Sequence, residues 1–419
     1  MSDDPTHATH RVITRLVRDE HRALVGWLVA RLGGHQLDLA EDVAQDALLA
    51  ALSNWPYKGM PDNPGAWLRT VARNRAIDRL RKEGREIDLP AEEALPPADG
   101  HEAATDDVFA TRVPDPDLRL VLLCCHPELG EEDRLALTLK VVGGFTAREI
   151  AAVLLKPETA VAQRLARAKR RLRETPDRLA NEPDAAAILE RSMTALKVTY
   201  LIFSAGYAPR SGDQLVRHDV CAAALRLART LADTAGTSSE EAQALAGLLC
   251  LQSSRLDARE DERGMPVLMR DQDRSAWDQA LITEGFRRLG RARGDAVSRY
   301  HLEAAIASLH SSAARWEDTD WQTMARLYDT LGTLTKSPVV ALNGAVARAM
   351  AGEPERAMRE LDALATEPRL LRYAPLHVAR AEVLRRLGRN EESETARQQA
   401  MESGTSAPVL AFLQDQEEA

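Results

Sequence analysis

Residues 146–173 constrain this chain more than any other stretch. Thr146 followed three positions later by Glu149 is a capping box that opens a helix. Lys156-Pro157 interrupts it, and a proline suits the first turn of a second helix. From Lys156 to Arg173 seven lysines and arginines stand against one acid, Glu158. A short helix, a tight turn and a basic helix make the geometry that lowers side chains into a DNA major groove. A charge run alone is most simply a solvated face; the capped two-helix context turns the reading toward DNA.

The remainder of the chain makes that basic charge conspicuous. The 419 residues carry 55 Lys+Arg against 64 Asp+Glu, a net charge of −9, which excludes a nonspecific nucleic-acid coat. DNA binding must come from local patches. Hydrophobic residues make up 44% and aromatic residues 4%, so cores are expected to form by helix packing. The length predicts two or three domains. Cys124, Cys125, Cys221 and Cys250 form no CxxC, and Cys124-Cys125-His126 has no second ligand pair at zinc-like spacing. They read as buried structural cysteines, with no metal and no cofactor. The opening residues do not read as a signal peptide and no 18-residue apolar run occurs, which predicts a soluble, cytoplasmic protein with no membrane partner.

Helical periodicity continues along the chain. A first helix is expected over 11–31, ended by Gly33-Gly34, and a second over 37–53, with Ala40, Val43, Ala44, Ala47, Leu48 and Ala51 on one face. The segment 54–64 holds three prolines and a glycine and reads as a loop. A third helix, 65–82, carries the stripe Leu68, Ala72, Ala76 and Leu80 opposite Thr70, Asn74, Asp78 and Arg81. Residues 88–117 hold nine acids, five prolines and one arginine, the composition of a linker. Helices resume at about 118–125 and 131–142, with Gly143-Gly144 as a turn. Beyond about residue 181 everything reads helical. There 352–357 aligns with 388–393 at an offset of 36, near a tetratricopeptide period, so a repeat-like set of helical hairpins is expected.

Three groups of residues carry chemistry. In the basic helix, Glu158, Thr159, Ala160, Gln163, Arg164 and Arg167 occupy the half that meets base edges, where Arg suits guanine and Gln adenine. Lys169, Arg170, Arg171 and Arg173 lie further along and suit phosphates. Between Arg69 and Arg85 seven lysines and arginines follow Trp55, Tyr57 and Trp67. Cations interleaved with aromatic rings suit single-stranded DNA. Trp67 reads as core, while Trp55 and Tyr57 divide evenly between core and stacking. The second helix carries Glu41, Asp42, Gln45 and Asp46, which phosphates would repel; they form either solvated surface or a dock for an arginine-bearing protein.

Ala40-Glu-Asp-Val-Ala-Gln-Asp46, Pro64-Gly-Ala-Trp-Leu-Arg-Thr-Val-Ala-Arg-Asn-Arg-Ala-Ile-Asp-Arg-Leu-Arg81 and the 146–173 motif, in this order, resemble bacterial RNA polymerase sigma factors of the small extracytoplasmic-function (ECF) group. The resemblance covers about residues 10–175. Residues 118–145 and the segments 200–207 and 271–278 resemble the subgroup with a long C-terminal helical extension.

The resemblance implies an all-α, non-enzymatic chain: a region 2 domain at 10–86, an acidic linker at 87–117, a region 4 helix-turn-helix domain at 118–175 and a tetratricopeptide-like extension at 181–419. It implies that Asp42, Gln45 and Asp46 dock on the clamp helices of the polymerase largest subunit, and that region 4 meets the flap of the second-largest subunit. Trp55, Tyr57, Lys58, Asn63, Arg69, Arg73, Asn74, Arg75, Asp78, Arg79 and Arg81 would hold the melted −10 strand of promoter DNA. Residues 158–170 would read the −35 element. The extension would regulate activity through a partner or an intramolecular contact with the sigma domains. Three positions depart from the family pattern: Leu155 stands where the turn commonly has glycine, Ala160 where a hydroxyl is usual, and Ser204-Ala205 where Asn-Glu is more frequent.

Two other readings compete with this one. A helix-turn-helix regulator with a ligand- or protein-sensing C-terminal domain leaves the acidic face at 41–46 without a task. An enzyme in 181–419 would have to use His218, Asp219, Asp271, Asp273, Arg274 and Asp278, which present no nucleophile–base pair and read more simply as caps and salt bridges.

Overall fold

The computed structural model describes residues 20–29, 31–82, 116–154, 156–174, 185–208, 215–294, 296–371, 373–403 and 410–411. Among these the secondary structure is helical, with no β-strand. The chain divides into two compact units: one runs to Val198 and includes Thr234–Thr237, the other holds Thr199–Asp233 and everything from Ser238 onward.

In the first unit, α1 (20–29) buries Leu24, Val25, Leu28 and Val29, and the chain turns at Gly33. A 3-10 turn, Gly34–Gln36, leads into α2 (Leu37–Lys58), and α3 (Pro64–Lys82) packs against α2. The buried face of α2 is Ala40, Val43, Ala44, Ala47 and Ala51; that of α3 is Leu68, Ala72, Ala76 and Leu80. Small residues on both faces let the two backbones approach, so the expected stripes are the contact. Asn63 caps α3 by accepting the Ala66 N–H at 3.0 Å.

The end of α2 corrects the expectation of a loop from residue 54. The helix continues through Trp55 and Tyr57 to Lys58 and stops at Gly59, which takes φ 84° and donates to the Trp55 carbonyl at 3.0 Å. Pro56 removes a single intrahelical donor close to the helix end. Trp55 is held there by an edge contact with Trp67, ring centroids 5.6 Å apart. Trp67 is half-buried rather than core.

Next come α4 (Pro116–Cys124), α5 (Glu131–Val141), α6 (Ala147–Leu154) and α7 (Glu158–Glu174). Helix α4 starts inside the segment expected to be linker, with proline in the first position, where its missing N–H costs nothing. The rest of the linker, 87–115, lies outside the described residues, as do Leu155 and residues 10–19. The capping box is formed: the Thr146 N–H donates to Glu149 Oε2 at 2.8 Å and the Glu149 N–H to Thr146 Oγ1 at 3.2 Å. Helix α7 buries Val161, Leu165, Ala168 and Leu172 against α5 and α6. Cys124 and Cys125 are free and buried, and burial pushes the Cys125 thiol up to about 12.

The helix α8 (Ala185–Tyr207) leads into the second unit, which contains α9 (His218–Asp233), α10 (Glu240–Ser253), α11 (Gln279–Arg291), α12 (Arg299–Ser312), α13 (Trp321–Thr335), α14 (Pro338–Met350), α15 (Pro354–Leu364), α16 (Ala374–Arg386) and α17 (Asn390–Glu402). From α12 onward each helix packs on its neighbour in sequence. The two segments related by 36 residues are the turns between α14 and α15 and between α16 and α17. Gly352 takes φ 94° and Gly388 φ 73°; the Glu353 N–H reaches the Arg348 carbonyl and the Arg389 N–H the Leu384 carbonyl. Both are the same helix-ending motif, which needs a residue tolerant of left-handed backbone.

Candidate nucleic-acid and polymerase interface

The face of α7 turned away from the core is built by its 3.6-residue period. With Val161, Leu165, Ala168 and Leu172 inward, Glu158, Thr159, Gln163, Arg167 and Arg170 stand exposed, and Ala160 is half-buried beside them. This row holds the hydrogen-bonding types that reach base edges at one end and phosphates at the other. Arg167 approaches Asp133 only to 3.9 Å, and Arg170 approaches Glu174 to 3.8 Å; both side chains remain more than half exposed.

Arg164 and Lys169 are placed differently. Arg164 turns back onto the start of α5, where it pairs with Glu132 and, at 3.3 Å, with Asp133. Three acids, Glu131-Glu132-Asp133, open that helix, where the helix dipole favours them; Lys156 also reaches Glu132 at 3.6 Å. Lys169 lies 2.5 Å from Glu41 and 3.0 Å from Asp38, and Arg173 pairs with the same Asp38. Burial alone would lower the Lys169 ammonium, but the two carboxylates outweigh it and hold it above its ordinary value. The basic helix therefore touches the acidic start of α2 through its C-terminal half. Nothing in the sequence signals these pairings, because they join residues more than 125 positions apart.

On α2 and α3 the expected polymerase and −10 residues meet. Asp42 and Gln45 are exposed and Asp46 half-buried. Arg79 bridges Asp42 at 3.1 Å and Asp46 at 2.7 Å, and Arg75 reaches Asp46 at 3.5 Å. Asn74, Asp78 and Arg81 project outward on the same helix, while Arg69 and Arg73 are half-buried. Tyr57, Lys58 and Asn63 are exposed at the α2–α3 junction, Tyr57 at 89%, and Met60 between them is 67% exposed. Trp55 is half-buried against Trp67. An exposed ring and an exposed thioether beside the arginine-rich α3 can stack on unpaired bases. Met60 was not singled out from sequence; its setting in a Pro- and Gly-rich connection was the available signal.

The polar residues of the extension that could suggest an enzyme are mostly structural. Asp273 and Asp278 cap the helical turns that follow them, His218 lies 3.5 Å from Asp257, and Asp219 pairs with Arg217. Among the described residues no cluster of three His, Cys, Asp or Glu could hold a metal. No described helix is long and apolar enough to cross a membrane.

A helix-turn-helix with an exposed polar reading face, preceded by a helix pair with its own cations and exposed ring, defines a two-part nucleic-acid-binding transcription protein. Known families agree: Sigma-70 region 2 matches residues 16–86, Sigma-70 region 4 matches 119–172, and a family of unknown function (DUF6596) matches 191–293. The ECF RNA polymerase sigma factor SigL of Mycobacterium tuberculosis is 31% identical over 170 residues, 40% of this chain and 91% of that protein. An uncharacterized protein of Rhizobium meliloti is 39% identical over 91% of this chain and 89% of its own length. No solved structure gives a significant match. The chain belongs to the ECF group of RNA polymerase sigma factors and carries a C-terminal helical extension. As a sigma factor it acts with core RNA polymerase and promoter DNA to direct initiation of transcription; sigma factor families are not enzymes.

Proposed function

We propose that this sigma factor holds its promoter at two places and its polymerase at a third. The exposed row Glu158, Thr159, Ala160, Gln163, Arg167 and Arg170 reads the −35 element, with Arg164 as a brace and Lys169 as a reserve phosphate contact. Trp55, Tyr57, Lys58 and Asn63, with Arg69, Arg73, Asn74, Arg75, Asp78, Arg79 and Arg81, hold the melted −10 strand. Asp42, Gln45 and Asp46 dock on the clamp helices of the largest polymerase subunit, and the region 4 domain meets the flap of the second-largest. The corresponding boundaries are 10–86 for region 2, 87–117 for the linker, 118–175 for region 4 and 181–419 for a regulatory, tetratricopeptide-like extension in a cytoplasmic protein.

The observation that supports this reading most is the division on α7 between an exposed row of base- and phosphate-contacting types and a fully apolar buried row. The test is run-off transcription with core polymerase. Gln163→Ala is expected to relax or weaken recognition of one −35 base pair, and Tyr57→Ala to slow promoter opening with −35 binding intact. The regulatory role of the extension is tested by comparing the full chain with one ending at Glu174: equal activity at all polymerase concentrations contradicts it.

A further inference from the structure

The second unit holds its enclosed arginines in two ways. Arg288 and Arg348 each sit between two carboxylates. Arg288 reaches Asp233 at 2.9 Å and Glu284 at 2.8 Å, and Arg348 reaches Asp329 at 2.8 Å and Glu360 at 3.0 Å. A buried guanidinium without such compensation is strongly disfavoured, so this is the arrangement to expect.

Arg255, Arg259 and Arg274, which are half-buried, break the pattern. No carboxylate among the described residues lies within ion-pair distance of any of them. Arg255 donates only to Gln252 Oε1 at 3.1 Å and faces the Tyr207 ring at 5.4 Å. Arg259 lies 3.8 Å from the centroid of the same ring and donates to the Tyr207 carbonyl. Arg274 spends Nη1 on the carbonyls of His310 and Ala313, at 2.7 and 2.8 Å, and leaves Nη2 buried without a partner. Tyr207 Oη, Ser253 Oγ and His310 Nδ1 are also buried and unpartnered. These groups converge: Asp278 N–H bonds the Ser254 carbonyl, tying the end of α10 to the turn that carries Arg274, and Arg274 bonds the end of α12.

We infer that the ends of α8, α10 and α12 form a binding site for the oxyanion of a small molecule, a phosphate or a carboxylate, with Arg255 and Arg274 as the principal donors. Several unused donors in one place, with surplus positive charge, are what an oxyanion with multiple lone pairs satisfies. Guanidinium forks fit both phosphate and carboxylate in bidentate fashion. His310 remains neutral in such a site: burial, then Arg255 and Arg274, push its imidazole down to about 3. Tyr207, Arg255, Arg259 and Arg274 all fall within the segment matched by the family of unknown function, so the inference gives that segment a chemistry. It does not depend on which promoter residues α7 reads.

Thermal unfolding of the full chain tests it, with inorganic phosphate, pyrophosphate and citrate as probes at ionic strength matched by sodium chloride. A saturable rise in Tm of about 3 °C is expected at ten times the dissociation constant of at least one probe. Phosphate or pyrophosphate acting at lower concentration than citrate assigns a phosphate ligand; the reverse assigns a carboxylate. Arg255→Gln and Arg274→Gln are expected to abolish the rise, and Arg287→Gln, on the exposed side of α11, to keep it. Relief of uncompensated charge also predicts that Arg255→Gln without probe unfolds no earlier than the unaltered chain. No rise beyond sodium chloride with any probe, or an Arg255→Gln protein that unfolds earlier without probe, overturns the inference.

Discussion

The paired cations of the sigma half and the two most deeply paired arginines of the extension sit in different surroundings. In the sigma half Arg79, Arg164 and Lys169 form ion pairs at partly open surfaces, with side chains 39, 22 and 23% exposed. In the extension the side chains of Arg288 and Arg348 are 4 and 8% exposed, each fixed by two acids. Pairs open to water are worth about 0–1 kcal/mol and exchange readily; a buried arginine cannot let go of its partners without a large loss. The sigma half thus keeps the charge of these residues available for polymerase and DNA, whereas the extension, beside open surface pairs such as Arg315–Asp318 and Arg369–Glu367, fixes Arg288 and Arg348 inside its helical packing.

The sharpest way to break this comparison is Arg288→Ala. It leaves Asp233 and Glu284 without their shared cation, and a loss of about 3 kcal/mol is expected, read as a lower midpoint in urea unfolding of the full chain. A loss no larger than that of an exposed pair would place the two units on the same footing.

Acid acts on the same network more gently. Burial opposes ionisation of Glu284, but hydrogen bonds from Arg229 and Arg288 win and hold its carboxyl at about 2 against an ordinary 4.5. A depressed folded-state value means the stabilisation is complete above pH 4.5 and is lost as pH falls toward 2. Far-ultraviolet circular dichroism across that range should show a falling Tm in the unaltered chain. Glu284→Gln, less stable at neutral pH, should show a flatter dependence.

On α7 the contrast is between an exposed and a braced side chain. Gln163→Ala is expected to cost roughly 1–3 kcal/mol of −35 discrimination without changing Tm, measured by competition binding of holoenzyme to promoter variants. Arg164→Ala should do the converse, lowering the Tm of the first unit through the lost Glu132 and Asp133 pairs. The smallest effect is expected at Lys169→Ala. Removing its partly exposed pairs with Asp38 and Glu41 should change stability by less than about 1 kcal/mol, and the difference should shrink further in high salt.

Much of this was legible in the sequence because it is local. The α3 stripe, the Thr146–Glu149 capping box and the buried row of α7 follow from spacing within one or two turns. The repeat at Gly352 and Gly388 was readable because both turns need left-handed backbone. What escaped was non-local or marginal. Three prolines outweighed the Ser53 and Asn54 side chains, which bond back to the Leu49 and Ala50 carbonyls in the last turns of α2. The pairing of Arg164 with Glu132 and Asp133 is not legible because those partners lie about 30 positions upstream. The carboxylate-free arginines at 255 and 274 could not be distinguished from Arg288 and Arg348 by composition; only the placement of acids in space separates them.

The most direct measurement is reconstitution with core RNA polymerase, followed by mapping of transcription start sites and run-off assays on the promoters found. The chain is expected to give discrete starts, each with one −10 and one −35 element, and the −35 dependence should be lost selectively in Gln163→Ala with Arg170→Ala. Failure to initiate specifically, or initiation indifferent to both the −35 sequence and that double substitution, would contradict the account.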